Sequence, residues 1–184
     1  VKGDVVVAAR LSGANLVGVN WNQPITLEHL PKIGNTQVDA ILITYPWDLV
    51  HRNAEEITRE FKVLAKPGEI EGTVYDGVHL LARENVYIAA GAKVKPGVVI
   101  DAEEGPVFID ENAKVFPNAA IEGPAYIGKK TAIKIGAKIY EGTSLGPVCK
   151  VGGEVEESII HSYSNKQHEG FLGHAYLGLS LIHI

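Results

Sequence analysis

Residues 109–139 read IDENAKVFPNAAIEGPAYIGKKTAIKIGAKI. An aliphatic side chain returns at every sixth position: Ile109, Val115, Ile121, Ile127, Ile133 and Ile139. The fourth residue past each anchor is small, as in Ala113, Ala119, Ala125, Thr131 and Ala137. A helix repeats every 3.6 residues and a strand every two, and neither produces this double beat. The pattern is the signature of a hexapeptide-repeat β-helix. It extends outward through Ile88, Val94 and Ile100 on one side and Leu145 and Val151 on the other, eleven hexads with one three-residue slip after Ile100. Ala92, Val98, Thr143, Cys149 and Val155 continue the small series, and Glu104 beside the slip breaks it.

Three hexads make one triangular coil, each supplying a short strand whose anchor points inward. The small residue sits near the corner, where a large one would clash with the turn. Gly91, Pro96, Gly97, Pro117, Gly123, Pro124, Gly128, Gly136 and Gly142 fall between anchors, where corners need unusual or preset dihedrals. At about 4.8 Å per stacked coil, eleven hexads predict a prism roughly 17 Å tall. Lys114, Lys129, Lys130 and Lys138 are then expected in solvent. Handedness is not written in the spacing.

The run from Gly123 to Lys130 nearly matches a phosphate-binding loop, but Lys130 stands where Ser or Thr is needed. Ile127 and Ile133 hold the hexad register through it, so no helix can follow and the loop reading fails. A net charge of −5 without a basic run argues against nucleic acid. The single cysteine, Cys149, lies in a small-residue slot and reads as a buried, inert thiol, a count that suits a reducing cytoplasm. No apolar run approaches a membrane span and no charged-then-apolar leader opens the sequence. The absence of Met marks it as a piece of a longer chain.

Residues 1–64 read as the remnant of an α/β domain and residues 65–184 as an incomplete β-helix. Val5–Ala9 and Ala40–Thr44 look like strands. Asn53, with Glu56 three residues on, has the spacing of a capping box, and Ile57, Phe61 and Leu64 then share one helix face. Lys66-Pro67-Gly68 stops that helix, and Ile70–Asn85 reads as an irregular opening coil. Four histidines, His161, His168, His174 and His183, crowd the last 24 residues. Their spacings suggest stacking along one prism edge, as surface residues, as zinc ligands of a hydratase, or with one acting as a general base. No sharp zinc motif is present.

The run VCKVGGEVEESIIHSYSNKQHEGFLGHAYLG (Val148–Gly178) resembles the acetyltransferase segment of bifunctional sugar-1-phosphate nucleotidylyltransferase/acetyltransferases. More narrowly, it is similar to the alternative bacterial N-acetylglucosamine-1-phosphate uridyltransferase/glucosamine-1-phosphate acetyltransferase family. Tyr45–Asn53 (YPWDLVHRN) resembles the end of that family's nucleotidyltransferase domain, and Glu84–Ile88 its lead-in to the β-helix. The resemblance implies a left-handed parallel β-helix and a cytoplasmic homotrimer. Its substrates would be a sugar-1-phosphate, UTP or another NTP, and acetyl-CoA, with Mg²⁺ for nucleotidyl transfer. It places His168 at the acetyl-transfer general base and Asp48 near a Mg²⁺-holding position. Asn165 and Lys166 lie beside His168, suited to a sugar phosphate.

An imidazole with pKa near 6.5 suits removal of an amine proton at neutral pH. Two features depart from the family pattern. Phe171 stands where related acetyltransferases often carry Tyr, and Leu179–Ile184 resembles translated adaptor sequence rather than further coils. A second expectation is a nucleotidyltransferase, glucose-1-phosphate thymidylyltransferase-like for instance, whose β-helix serves only oligomerisation or regulation.

Overall fold

The computed structural model describes residues 1–3, 5–10, 20, 22, 28, 30, 34 and 36–179. The chain forms two compact units, Val1–Ile43 and Thr44–Ile184. In the second unit, among the described residues, eighteen short strands are shared between three six-stranded parallel sheets, one for each side of a triangular prism. The first face holds β1 (Thr73–Val74), β4 (Lys93–Val94), β7 (Lys114–Val115), β10 (Ala132–Ile133), β13 (Lys150–Val151) and β16 (Asn165–Lys166). The second holds β2 (His79–Leu81), β5 (Val99–Asp101), β8 (Ala120–Glu122), β11 (Lys138–Ile139), β14 (Glu154–Glu156) and β17 (Phe171–Gly173). The third holds β3 (Val86–Ile88), β6 (Val107–Ile109), β9 (Ala125–Ile127), β12 (Thr143–Leu145), β15 (Ile159–Ile160) and β18 (Tyr176–Leu177).

All eleven anchors are buried and fall on matching rungs, as in Ile109 against Ile127 and Ile127 against Leu145. The small residues Ala92, Ala113, Thr131 and Cys149 are buried beside them, and Lys114, Lys129, Lys130 and Lys138 are exposed. Burial pushes the Cys149 thiol above its ordinary value, which keeps it protonated and unreactive. Thr131 fits its apolar slot because its hydroxyl donates to Gly146 O (2.7 Å) and accepts the Cys149 N–H (3.0 Å). The slip after Ile100 is absorbed between β5 and β6, where exposed Glu103 and Glu104 lie outside the ladder.

Six coils at the same step stand about 29 Å tall, more than the hexad count implies. The count stopped short because the end coils lose strict spacing. Lys114 and Ala132 pair eighteen residues apart, but Lys150 and Asn165 only fifteen. Val74, Leu80, Leu172 and Leu177 still pack against the core from those ends.

The corners repeat as strictly as the anchors. Between first-face strands and the preceding third-face strands, Gly91, Asn112, Lys130, Val148 and Tyr163 all turn with φ between 58° and 75°. Each of the last four donates its N–H to the corner below: Asn112 to Ala90 O, Lys130 to Glu111 O, Val148 to Lys129 O and Tyr163 to Pro147 O. Gly adopts this left-handed conformation freely and Asn tolerates it, whereas a β-branched residue such as Val148 resists it by about 1–2 kcal/mol. The ladder imposes the turn on whichever residue occupies the corner.

Helix α1 (Pro46–Leu64) packs on the third face against β9, β12 and β18. Its start differs from the expected one. Pro46 takes the first helical position, where its missing N–H costs nothing. The Asp48 carboxylate then accepts the N–H groups of Thr44 and Tyr45, both at 2.9 Å. Asn53 therefore lies mid-helix rather than at a cap. Val50, Asn53, Ile57 and Phe61 form the buried stripe, while Leu64 is 67% exposed and off it. Nineteen residues span about 28 Å, close to the prism height, so α1 can run the length of the face. By packing, α1 goes with the coils, although residues 1–64 were grouped together on sequence.

The first unit forms no α/β arrangement among its described residues. Neither Val5–Ala9 nor Ala40–Thr44 is a strand; one antiparallel bridge joins Lys2 and Val5. Strand propensity needs a paired neighbour and a face to bury. Here Val5, Ile41, Leu42 and Ile43 stay exposed. The Val38 N–H does reach Val1 O (2.8 Å), and Gly3 N–H reaches Gln37 Oε1 (3.0 Å).

Replacing Ile127 with Ala should cost roughly 2–5 kcal/mol, as for a large cavity in a tight core. Urea unfolding of the β-helix, followed by circular dichroism, measures it, and a loss under about 1 kcal/mol would contradict such packing.

Candidate functional site

The three residues expected around the acetyl-transfer site fall on one short stretch, β16 and the turn after it. Asn165 points outward and is exposed. Lys166 pairs with Val151 and so occupies the next anchor position of the first face, above Val94, Val115, Ile133 and Val151. An ammonium cannot remain among hydrocarbon without partners. Its Nζ donates to Gly152 O (2.8 Å), His168 O (3.0 Å) and Gly170 O (2.5 Å). Three donors meet three carbonyls. Lys166 thereby closes the end of the apolar column and ties down the turn that presents His168. Contact with a phosphate would require exchanging one of those bonds.

His168 is exposed between β16 and β17. Phe171 opens β17 with its ring folded toward Gly173, where an added Cβ would lie 2.5 Å from the ring. The other histidines do not stack with His168. A step of six or seven residues advances one side of the triangle, whereas stacking needs a whole coil. His161, His168 and His174 accordingly follow β15, β16 and β17, on three different faces. His161 Nε2 lies 2.6 Å from Tyr176 Oη, and His174 Nδ1 lies 2.6 Å from Glu157. His183 is outside the described residues. Among the described residues, no three His, Cys, Asp or Glu side chains gather as a metal-binding group.

Asp48 is placed at the start of α1. The N–H groups of Tyr45 and Thr44 hold its carboxyl below the usual carboxylate range. Its hydrogen-bonding role is that of a helix cap.

A cleft of about 520 Å³ separates α1 from the third face, and sequence reasoning did not find it. Ile57 and Phe61 line it from the helix, and Tyr87, Phe108 and Tyr126 from the sheet. These three rings form an edge-to-face ladder with centroids 5.0 and 5.4 Å apart. Their spacing of 21 and 18 residues, one coil each, was the available signal. Two of the acids lining the cleft, Asp110 and Glu111, are engaged on the sheet side. Tyr126 Oη donates to Asp110 Oδ2 (2.8 Å), Asp110 Oδ1 accepts the Glu111 N–H (2.7 Å), and Glu111 pairs with Lys129 (3.3 Å). Burial first, and then the bond to Asp110, push the Tyr126 phenol far up. Beside the cleft, Asn53 donates to Gly142 O (2.6 Å) and accepts from Ser144 Oγ (2.9 Å). The two Asn53 bonds pin the helix to the coils.

No protein-family model matches the chain. A UTP–glucose-1-phosphate uridylyltransferase of Synechocystis sp. is 38% identical over 89 residues, which is 46% of this chain and 21% of that protein. The likeness is to a sugar-phosphate nucleotidyltransferase. It covers about a fifth of that relative's length. Among the described residues no helix is long and apolar enough to cross a membrane.

Two measurements check these assignments. Lys166→Met should keep the column filled but release the turn, so backbone order parameters at Gln167–Gly170 should fall below about 0.6 while those of β9 and β12 stay near about 0.85. For Asp48, the carboxyl is lower in the folded chain, so its stabilisation is complete above the ordinary value of 3.8 and disappears as pH falls through the folded value. Amide shifts of Thr44 and Tyr45 should titrate below that value and be flat in Asp48→Asn.

Proposed function

We propose that the chain belongs to a bifunctional sugar-1-phosphate enzyme that acetylates glucosamine-1-phosphate and transfers a nucleotidyl group from UTP, giving UDP-N-acetylglucosamine. The observation that carries the coarser part is the combination of a six-coil parallel β-helix with 38% identity to a uridylyltransferase named for UTP and glucose-1-phosphate. The acetyl-transfer part is supported by an exposed His168 on a turn held by Lys166, within a run that resembles the acetyltransferase segment.

In this reading the sugar amine attacks the thioester carbonyl of acetyl-CoA. The His168 imidazole accepts the amine proton as the C–N bond forms, and the imidazolium returns it to the CoA sulfur as the C–S bond breaks, so CoA leaves as the thiol. Backbone N–H groups at a coil corner stabilise the oxyanion. Asn165 takes the sugar phosphate. UTP, the sugar-1-phosphate and acetyl-CoA are the ligands, and a homotrimer in the cytoplasm is the setting. For Mg²⁺, Asp48 offers a hard oxygen of the right kind. Its Oδ2 is nevertheless committed to two backbone N–H groups and no acidic partners gather beside it among the described residues. The residues present do not build that site, and no step is routed through it.

A second reading, a nucleotidyltransferase whose β-helix only assembles or regulates, is favoured by the relative's name, which mentions nucleotidyl transfer alone.

In the parent enzyme, His168→Ala should lower acetyl transfer by about 10²–10⁴-fold and leave nucleotidyl transfer largely intact. Coupled assays of the two half-reactions measure both. Unchanged acetylation would put the second reading ahead, and joint loss of both activities would assign His168 to folding.

A further inference from the structure

Asp110 keeps a buried carboxylate without a cation. It follows the anchor Ile109, is 7% exposed and lines the cleft between α1 and the third face. A carboxylate taken out of water needs a counter-charge or a full set of donors. Asp110 has two neutral donors, the Glu111 N–H at Oδ1 (2.7 Å) and the Tyr126 hydroxyl at Oδ2 (2.8 Å). Its two oxygens offer about four acceptor sites, so about half of that capacity is unused. Among the described residues no Lys, Arg or His pairs with it. Lys129, which also lines the cleft, is taken by Glu111 (3.3 Å). Lys66 is held by Glu71 (3.0 Å), which also accepts from the Tyr87 hydroxyl.

The opposite wall carries the same sign. Glu56 and Glu60 line the cleft from α1. Glu56 meets Arg59, whereas Glu60 forms no ion pair among the described residues. Glu60 is near enough to Tyr126 to push its phenol upward, after burial and the Asp110 bond. Four carboxylates therefore line the cleft against one ammonium. Apolar surface lies with them, Ile57 and Phe61 from the helix and Phe108 and Tyr126 from the sheet. Aromatic rings add attraction for a cation through their electron-rich faces. The volume of about 520 Å³ falls in the range of about 300–1,000 Å³ usual for small-molecule sites.

Each class of occupant meets these walls differently. An anion is repelled, which excludes a phosphorylated sugar. A neutral apolar molecule displaces water and leaves Asp110 no better partnered. A quaternary ammonium brings charge but no N–H for the unused acceptor sites. A primary ammonium on an apolar body supplies both. We propose, independently of the transferase reading, that this cleft binds a small organic amine. Its ammonium group donates to Asp110 and faces Glu60, and its apolar body lies among Phe61, Phe108 and Tyr126.

The experiment is a charge series at nearly constant shape, titrated into the 184-residue chain near about pH 7 and followed by amide and aromatic NMR shifts. The probes are phenethylammonium, 2-phenylethanol and 3-phenylpropanoate. Phenethylammonium should bind with a Kd of about 1 mM or below. It should exceed the alcohol at least about tenfold, the scale of a charge-assisted hydrogen bond, and the propanoate should not bind. Its shifts should centre on the Asp110 and Glu111 amides and the Phe108 and Tyr126 rings. Asp110→Asn should abolish the preference for ammonium over alcohol, and Glu60→Gln should weaken the ammonium about threefold, as for an exposed charge. Circular dichroism reports whether each variant is folded; if Asp110→Asn is not, Glu60→Gln and the wild-type series decide. Four results would overturn the proposal: an alcohol that binds as tightly as the ammonium, ammonium shifts centred outside the cleft, no ammonium binding, or a folded Asp110→Asn that keeps the preference.

Discussion

Each coil hydrogen-bonds in parallel to the coil below, and that ladder governs nearly everything else in the prism. Because rungs pair residue to residue, an inward position must stay inward through six coils, and a corner must stay a corner. The consequence is plainest where the residue resists. Val148 and Tyr163 take the left-handed turn that Gly91 adopts without strain, since their N–H groups are bound to the corner beneath. Local preference yields to a collective constraint. The core and the ladder outweigh a turn penalty of about 1–2 kcal/mol at individual corners.

Polar groups that enter apolar positions do so with partners supplied in advance. Thr131 sits in an alanine slot and bridges Gly146 and Cys149. Lys166 takes an anchor slot and turns its ammonium to three carbonyls. Asn53 breaks the apolar stripe of α1 but matches Gly142 O and Ser144 Oγ on the coil beneath. Each is costly if its partner is removed and each fixes one arrangement, so these residues set where the helix and the His168 turn sit. Apolar burial alone would hold α1 to the third face without choosing its register.

A repeat of this kind specifies a scaffold and leaves chemistry to what departs from it. The regular middle coils carry anchors and corners. The departures are the slip after Ile100, the shortened last coils with Lys166 and His168, and the helix laid along one side. The proposed chemistry lies in the second of these.

The β-helix was legible from its hexads because a core position in a one-residue-per-rung stack is a purely local code: Ile109 through Ile139 need no distant information to be assigned. The burial of Cys149 and the exposure of the corner lysines followed from the same register. Four things were not legible. The apolar runs at Val5–Ala9 and Ala40–Thr44 carry strand propensity, but pairing belongs to a neighbour and not to the run. Asn53 has a capping-box spacing, yet Pro46 and Asp48 start the helix earlier, and the acceptor for Asn53 lies 89 residues away. The histidine spacings looked like a stack until the triangle showed that six residues move sideways and only a full coil moves up. Lys166 reads in sequence as a solvated or ligand-binding cation. Only its pairing with Val151 reveals an inward position, because spacing alone stops reporting direction once the coil shortens from eighteen residues to fifteen.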